Sequence, residues 1–279
     1  MRKLNLWLFI VLIALLAGCG SGMNYAGDTH SSGDGAEDQN AVSKEESESD
    51  NSASEEDENT VSEENDTSNT AEEASEPQLD IVQSTGGAWQ DSIDNVWVHS
   101  AAIFKNTGDV PVQIGETQMN FKSEQEDILG TAAMIYSVPE VVLPGERAFI
   151  GETTTLEGVT DPEEYEETTY NFSFDVTDED PHLLEVAGIK GTPGKDEFAM
   201  PYTVTGVVKN TSDALQDDIR IAAALLAEDG TLLGVLTGSV TVGVNPGGEA
   251  GFELSYPEVP RDIVDKVETI EVQAYGWTW

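Results

Sequence analysis

The chain of 279 residues has one cysteine, Cys19, three histidines, and 12 Lys or Arg against 54 Asp or Glu. A lone thiol excludes an internal disulfide, so any exported domain must be held by packing alone. His30, His99 and His182 show no His-x-His or His-Glu-x-x-His spacing, which leaves no zinc pattern. A formal net charge of −42 excludes nucleic acid as a partner, because phosphate contacts need a Lys and Arg surface. It also opposes adhesion to anionic headgroups or polyanionic wall polymers. No nucleophile elbow, phosphate loop or dinucleotide fingerprint occurs. With carboxylates this abundant, no two of them stand out as a glycosidase pair. The expectation is a protein that is not an enzyme and carries no cofactor or catalytic metal.

A long hydrophobic run is missing as well. The apolar stretch from Leu4 to Leu16 is shorter than the roughly 20 residues a spanning helix needs, and it follows Arg2 and Lys3 as an export signal does. Leu16-Ala17-Gly18-Cys19 resembles the lipobox of bacterial lipoproteins. The resemblance implies that residues 1–18 are a removable signal peptide and that the Cys19 thiol carries the lipid. The partner is then a membrane, and the expected location is the extracytoplasmic face of the cell membrane. Two or three acyl chains hold firmly, at about 0.8 kcal/mol per buried CH₂, where one alone does not.

From Gly20 to Pro77 the chain is Ser, Glu, Asp, Asn, Thr and Gly, with Lys44 as its one base and Tyr25 as its one aromatic. Such a stretch cannot offset its ordering entropy by burial, so residues 19–77 read as a lipidated start followed by a disordered acidic linker. Weak uptake of Ca²⁺ by clusters such as Glu55-Glu56-Asp57-Glu58 is the alternative, but no Asp-x-Asp-x-Asp-Gly loop fixes ligands there.

Beyond Pro77 the texture changes to short runs of Val, Ile, Thr, Phe and Tyr between Gly, Pro, Asn and Asp, with nothing that reads as a long helix. Ile219, Ile221, Ala223 and Leu225 alternate with Arg220, Ala222 and Ala224, the period of a half-buried strand. The same unit occurs twice. Phe104-Lys105-Asn106-Thr107-Gly108 aligns with Val208-Lys209-Asn210-Thr211-Ser212, Leu129-Gly130 with Leu233-Gly234, and Pro144-Gly145-Glu146 with Pro246-Gly247-Gly248-Glu249. The expected fold class is therefore all-β: two tandem immunoglobulin-like β-sandwiches, residues 78–179 and 180–279, meeting near Asp178-Glu179-Asp180-Pro181.

The second unit, through Gly206-Val207-Val208-Lys209-Asn210-Thr211-Ser212, Asp229-Gly230-Thr231-Leu232-Leu233-Gly234, Asn245-Pro246-Gly247-Gly248-Glu249 and Phe252, resembles the FxLYD domain of exported bacterial proteins. The first unit resembles it through Lys105-Asn106-Thr107 and Pro144-Gly145-Glu146. At the signature itself the chain reads Ala223-Ala224-Leu225-Leu226-Ala227. The resemblance implies an extracellular sandwich module with no established chemistry.

Two features stand out as candidate sites. Asp161-Pro162-Glu163-Glu164-Tyr165-Glu166-Glu167, with Asp175 to Asp180 as a neighbour, supplies oxygen ligands for Ca²⁺ or is a solvated acidic loop. Tyr275, Trp277 and Trp279 alternate and so project from one face of the last strand. Exposed, they stack on sugar rings; buried, they close the sandwich or dock on its neighbour. The functional expectation is a membrane-anchored, non-catalytic binding or interaction module whose partner is an envelope protein or a glycan. The alternative is an accessory or sensor subunit of an envelope enzyme or transporter.

Overall fold

A computed structural model describes residues 76–277. Cys19, the signal segment, the acidic stretch before residue 76 and Trp279 lie outside the described residues.

The fold is all-β, with 56% of the described residues in strands and 4% in helix. In order it forms β1 (Leu79–Gln90), β2 (Val96–Asn106), β3 (Val112–Lys122), β4 (Ile128–Ala132), β5 (Val141–Val142), β6 (Arg147–Thr155) and β7 (Glu167–Val176). It continues with β8 (Glu185–Pro193), β9 (Tyr202–Lys209), β10 (Ile219–Leu226), β11 (Leu232–Val240), β12 (Glu249–Leu254) and β13 (Thr269–Gly276). Short 3-10 turns at Pro162–Glu164 and Arg261–Lys266 interrupt the strands. Every pairing is antiparallel.

The strands make two sandwiches with matching sheets. In the first, sheet β1-β2-β6 faces a sheet in which β3 pairs β4, β5 and β7; in the second, β12-β9-β8 faces β11-β10-β13. Alternate residues fill each interior. Val98, Ala102, Phe104 and Ile150 meet Ile114, Met119 and Phe121 in one core. Val204, Val208, Phe252 and Leu254 meet Ile221, Ala223, Leu225 and Leu236 in the other.

The repeat seen in the sequence is also a repeat of hydrogen bonds. Phe121 lies opposite Gly130 and Leu225 opposite Gly234, and a bulge follows at the next residue in both pairs. Val112 pairs Val142, and at the equivalent place Gln216 pairs Val244. The two Pro-Gly turns put Gly145 at φ +80 and Gly247 at φ +73, the position of a type II turn that favours glycine. Each turn then donates its glycine N–H, at 2.8 Å, to the carbonyl of the buried Asn of the Lys-Asn-Thr motif, Asn106 or Asn210.

One expectation needs correction. The period-two pattern of β10 predicts a strand with one wet face, yet Ala222, Ala224 and Leu226 are as buried as Ile221 and Ala223. Their face is covered by the other sandwich. All described residues belong to one compact unit, in which Ala222, Ala224, Leu226, Leu232 and Val235 pack on Ala101, Ile103 and Phe149 as a third core. Small residues permit this close approach. A Cβ at Gly151 would stand 2.6 Å from the Val235 carbonyl oxygen.

Candidate functional site

Two polar clasps fix the seam between the sandwiches. Gln83 of β1 accepts the Leu232 N–H at 2.9 Å and donates to the Gly230 carbonyl at 3.3 Å. His99 of β2 is fully buried. The Thr153 hydroxyl has a single proton, which goes to the Glu258 carbonyl at 2.7 Å, so Thr153 accepts from His99 Nδ1–H at 2.9 Å. That leaves His99 Nε2 as the acceptor for the Val235 N–H at 3.4 Å. Burial pushes the imidazole down to about 3, so it stays neutral and keeps this tautomer near neutral pH.

Tyr256 adds a third tie, its hydroxyl donating to Glu152 at 3.0 Å. Burial and the Glu152 carboxylate push this phenol up to about 12. Arg147 of β6 meets Glu271 of β13 at 2.7 Å.

Beside this seam lies a groove of about 350 Å³ to which both sandwiches contribute. Its floor is β3, where a bulge between Ile114 and Thr117 breaks the register with β7. One wall is the segment 134–140 that links β4 to β5; the other is Tyr275 and Trp277 at the end of β13. Met134 and Tyr136 on the linking segment are 72% and 57% exposed. Met134 holds φ at +55, a conformation that costs a residue with a Cβ about 1–2 kcal/mol. Tyr136 and Trp277 meet edge to face with ring centroids 5.5 Å apart. The Arg220 guanidinium, tied to Asp218 at 2.9 Å, lies 5.4 Å from the Tyr136 ring centre and 4.8 Å from that of Trp277.

Glu116 and Glu140 bring carboxylates to the groove, and Gln113 donates to Glu140 at 2.7 Å and so orients it. Tyr275, 4% exposed, has a buried hydroxyl with no hydrogen-bond partner among the described residues. Burial, with Glu140 beside it, pushes that phenol upward, so the hydroxyl remains a proton donor. Chemically the groove offers aromatic faces, a carboxylate oriented by Gln113 at Glu140, a second carboxylate at Glu116, and one buried O–H unsatisfied among the described residues.

Of the residues singled out by alternation, Tyr275 and Trp277 come together here. Tyr275 belongs to the seam core, with Trp277 packed against it. Trp279 lies outside the described residues, as does Cys19. Met134, Tyr136 and Glu140 on the wall and Glu116 on the floor escape a reading of the sequence, because their meeting depends on the bulge in β3 and on the contact between sandwiches. The one available signal is the run of Met134-Ile135-Tyr136 where strand alternation stops. At the acidic loop, Asp161 Oδ1 accepts the Glu163 N–H as a cap of the 3-10 turn. Among the described residues, no three His, Cys, Asp or Glu are grouped as a metal-ligand set. His182 donates its backbone N–H to Asp180. Among the described residues no helix is long and apolar enough to cross a membrane.

No protein-family model matches the chain, and no curated protein matches it.

Proposed function

We propose that the chain is an extracytoplasmic lipoprotein, anchored to the cell membrane through lipid on Cys19, whose paired sandwiches act as a non-catalytic binding module of FxLYD-like type. The groove walled by Tyr136, Tyr275 and Trp277 is its contact surface. The observation that carries the binding part is the buried Tyr275 hydroxyl, without a hydrogen-bond partner among the described residues, in a groove with aromatic walls. A buried polar group left unmatched costs about 1–3 kcal/mol, and a ligand is one means of recovering it. The seam clasps hold the two walls in register, so little ordering entropy is lost on binding.

Two experiments test the reading. Radiolabelled palmitate is expected to enter the wild-type chain in its native host and to be lost from Cys19→Ala; an unlabelled wild type overturns the anchor. The purified full chain is expected to retain either the polysaccharide or the membrane-protein fraction of that envelope, and to retain less of it after Tyr136→Ala. Retention of neither overturns the binding module.

An accessory or sensor subunit is the second reading, favoured by a separate feature. Phe198 is 91% exposed on the tip between β8 and β9. Arg261 pins that tip by donating to the carbonyls of Asp196, Glu197 and Ala199. An exposed aromatic held on an ordered loop offers apolar surface to a protein partner.

A further inference from the structure

We propose, resting on the binding-module reading, that the groove takes an uncharged saccharide: a pyranose ring lies against Tyr136 and Trp277, and a ring hydroxyl bridges Tyr275 and Glu140. The bridging position selects the ligand group. Tyr275 presents a buried O–H that lacks an acceptor among the described residues, and Glu140 presents a carboxylate already oriented by Gln113. A hydroxyl accepts from the first and donates to the second, which few other groups do from one atom.

The surroundings exclude the rival classes. An acidic sugar or phosphate would face Glu116 and Glu140 on a chain of net charge −42. A purely apolar ligand would leave the Tyr275 hydroxyl buried and unmatched. An alkylammonium ion suits aromatic walls in general, but here both rings already carry the Arg220 guanidinium, at 5.4 and 4.8 Å, and a second cation would be repelled by it. The apolar C–H face of a pyranose meets no such opposition. A volume of about 350 Å³ is at the small end of ligand pockets, which suits a terminal unit or a disaccharide rather than a long chain.

The test is isothermal titration of the full chain with cellobiose, chitobiose and maltose, each at millimolar concentration. Saturable binding of at least one is expected. Tyr275→Phe, which removes only the hydroxyl, is expected to weaken it about five- to tenfold, and Tyr136→Leu by a similar factor, with thermal midpoints recorded to confirm folding. Binding by none of the three overturns the proposal, as does binding that both variants leave unchanged. Tetramethylammonium serves as the cation probe. If it binds, is lost in Tyr136→Leu and the disaccharides do not bind, the saccharide assignment falls while the binding module stands; if no probe binds and neither envelope fraction is retained, both fall.

Discussion

The two sandwiches share a frame and part company at one strand. In the second, β11 stays paired with β10 as far as Val240, opposite Ile219. In the first, β4 leaves β3 after Ala132, and the following residues become the groove wall. The cause lies in the partner strand. Ile219 pairs in register on both sides, whereas the equivalent stretch of β3 is bulged between Ile114 and Thr117 and offers no straight template. The two frames thus match, and a bulge in one of them frees a segment to line the groove.

If the frames are equivalent, their clasps should respond alike. Asn106 donates to the Val110 and Val142 carbonyls, both at 2.8 Å, and Asn210 donates to those of Ala214 and Val244 at 2.7 and 2.8 Å. Both side chains are fully buried. Replacing either with Ala strands two carbonyls, so Asn106→Ala and Asn210→Ala are each expected to cost about 3–5 kcal/mol in urea denaturation. Asn210 also accepts from the Ser212 hydroxyl at 2.7 Å, so its loss should be the larger by a few tenths. One variant losing less than about 1 kcal/mol while the other loses several would break the equivalence.

The seam gives a second contrast, because His99 has no counterpart in the duplicate strand β9, where the chain reads Thr203. Burial lowers its folded pKa to about 3, below the ordinary value near 6.5. Between these values the unfolded chain binds the proton and the folded chain does not. Stability is therefore unaffected above about pH 7 and falls as pH drops through the window, by roughly 1–1.5 kcal/mol per unit, or about 2 kcal/mol at pH 5. Acidification also neutralises carboxylates and relieves their mutual repulsion, which masks the effect in the wild type alone. The difference between wild type and His99→Gln isolates it: that difference should shrink from pH 7 to pH 5. A constant difference would show that His99 takes up its proton over the same pH range in the folded and unfolded chains.

The frame was the more legible part of this molecule. Lys-Asn-Thr and Pro-Gly spacing announced the two units, because a buried Asn clasp and a glycine at positive φ demand particular residues at fixed offsets. The seam was less legible, since the outer face of β10 is Ala and Leu in either setting and only contact with the other sandwich decides its burial. Least legible was the groove. Tyr275 and Trp277 could be placed on one face from alternation, but their partner Tyr136 is brought to them by a bulge whose one local cue is Gly115 inside strand β3.

The smallest expected effect sharpens the contrast between frame and site. Met134 sits at φ +55 on the groove wall, a strain that the continuous strand β11 avoids in the second sandwich. Met134→Gly removes the Cβ conflict, and the gain is partly offset by the greater freedom of glycine in the unfolded chain. A net stabilisation of about 0.5–1 kcal/mol is expected in urea denaturation. The 72% exposure of the side chain means little packing is lost in return. The same variant removes an apolar lining of the groove, so any ligand held there should bind more weakly while the protein becomes more stable. Opposite signs for the two readouts are what strain held at a binding site predicts. A variant that loses stability would place Met134 in the frame instead.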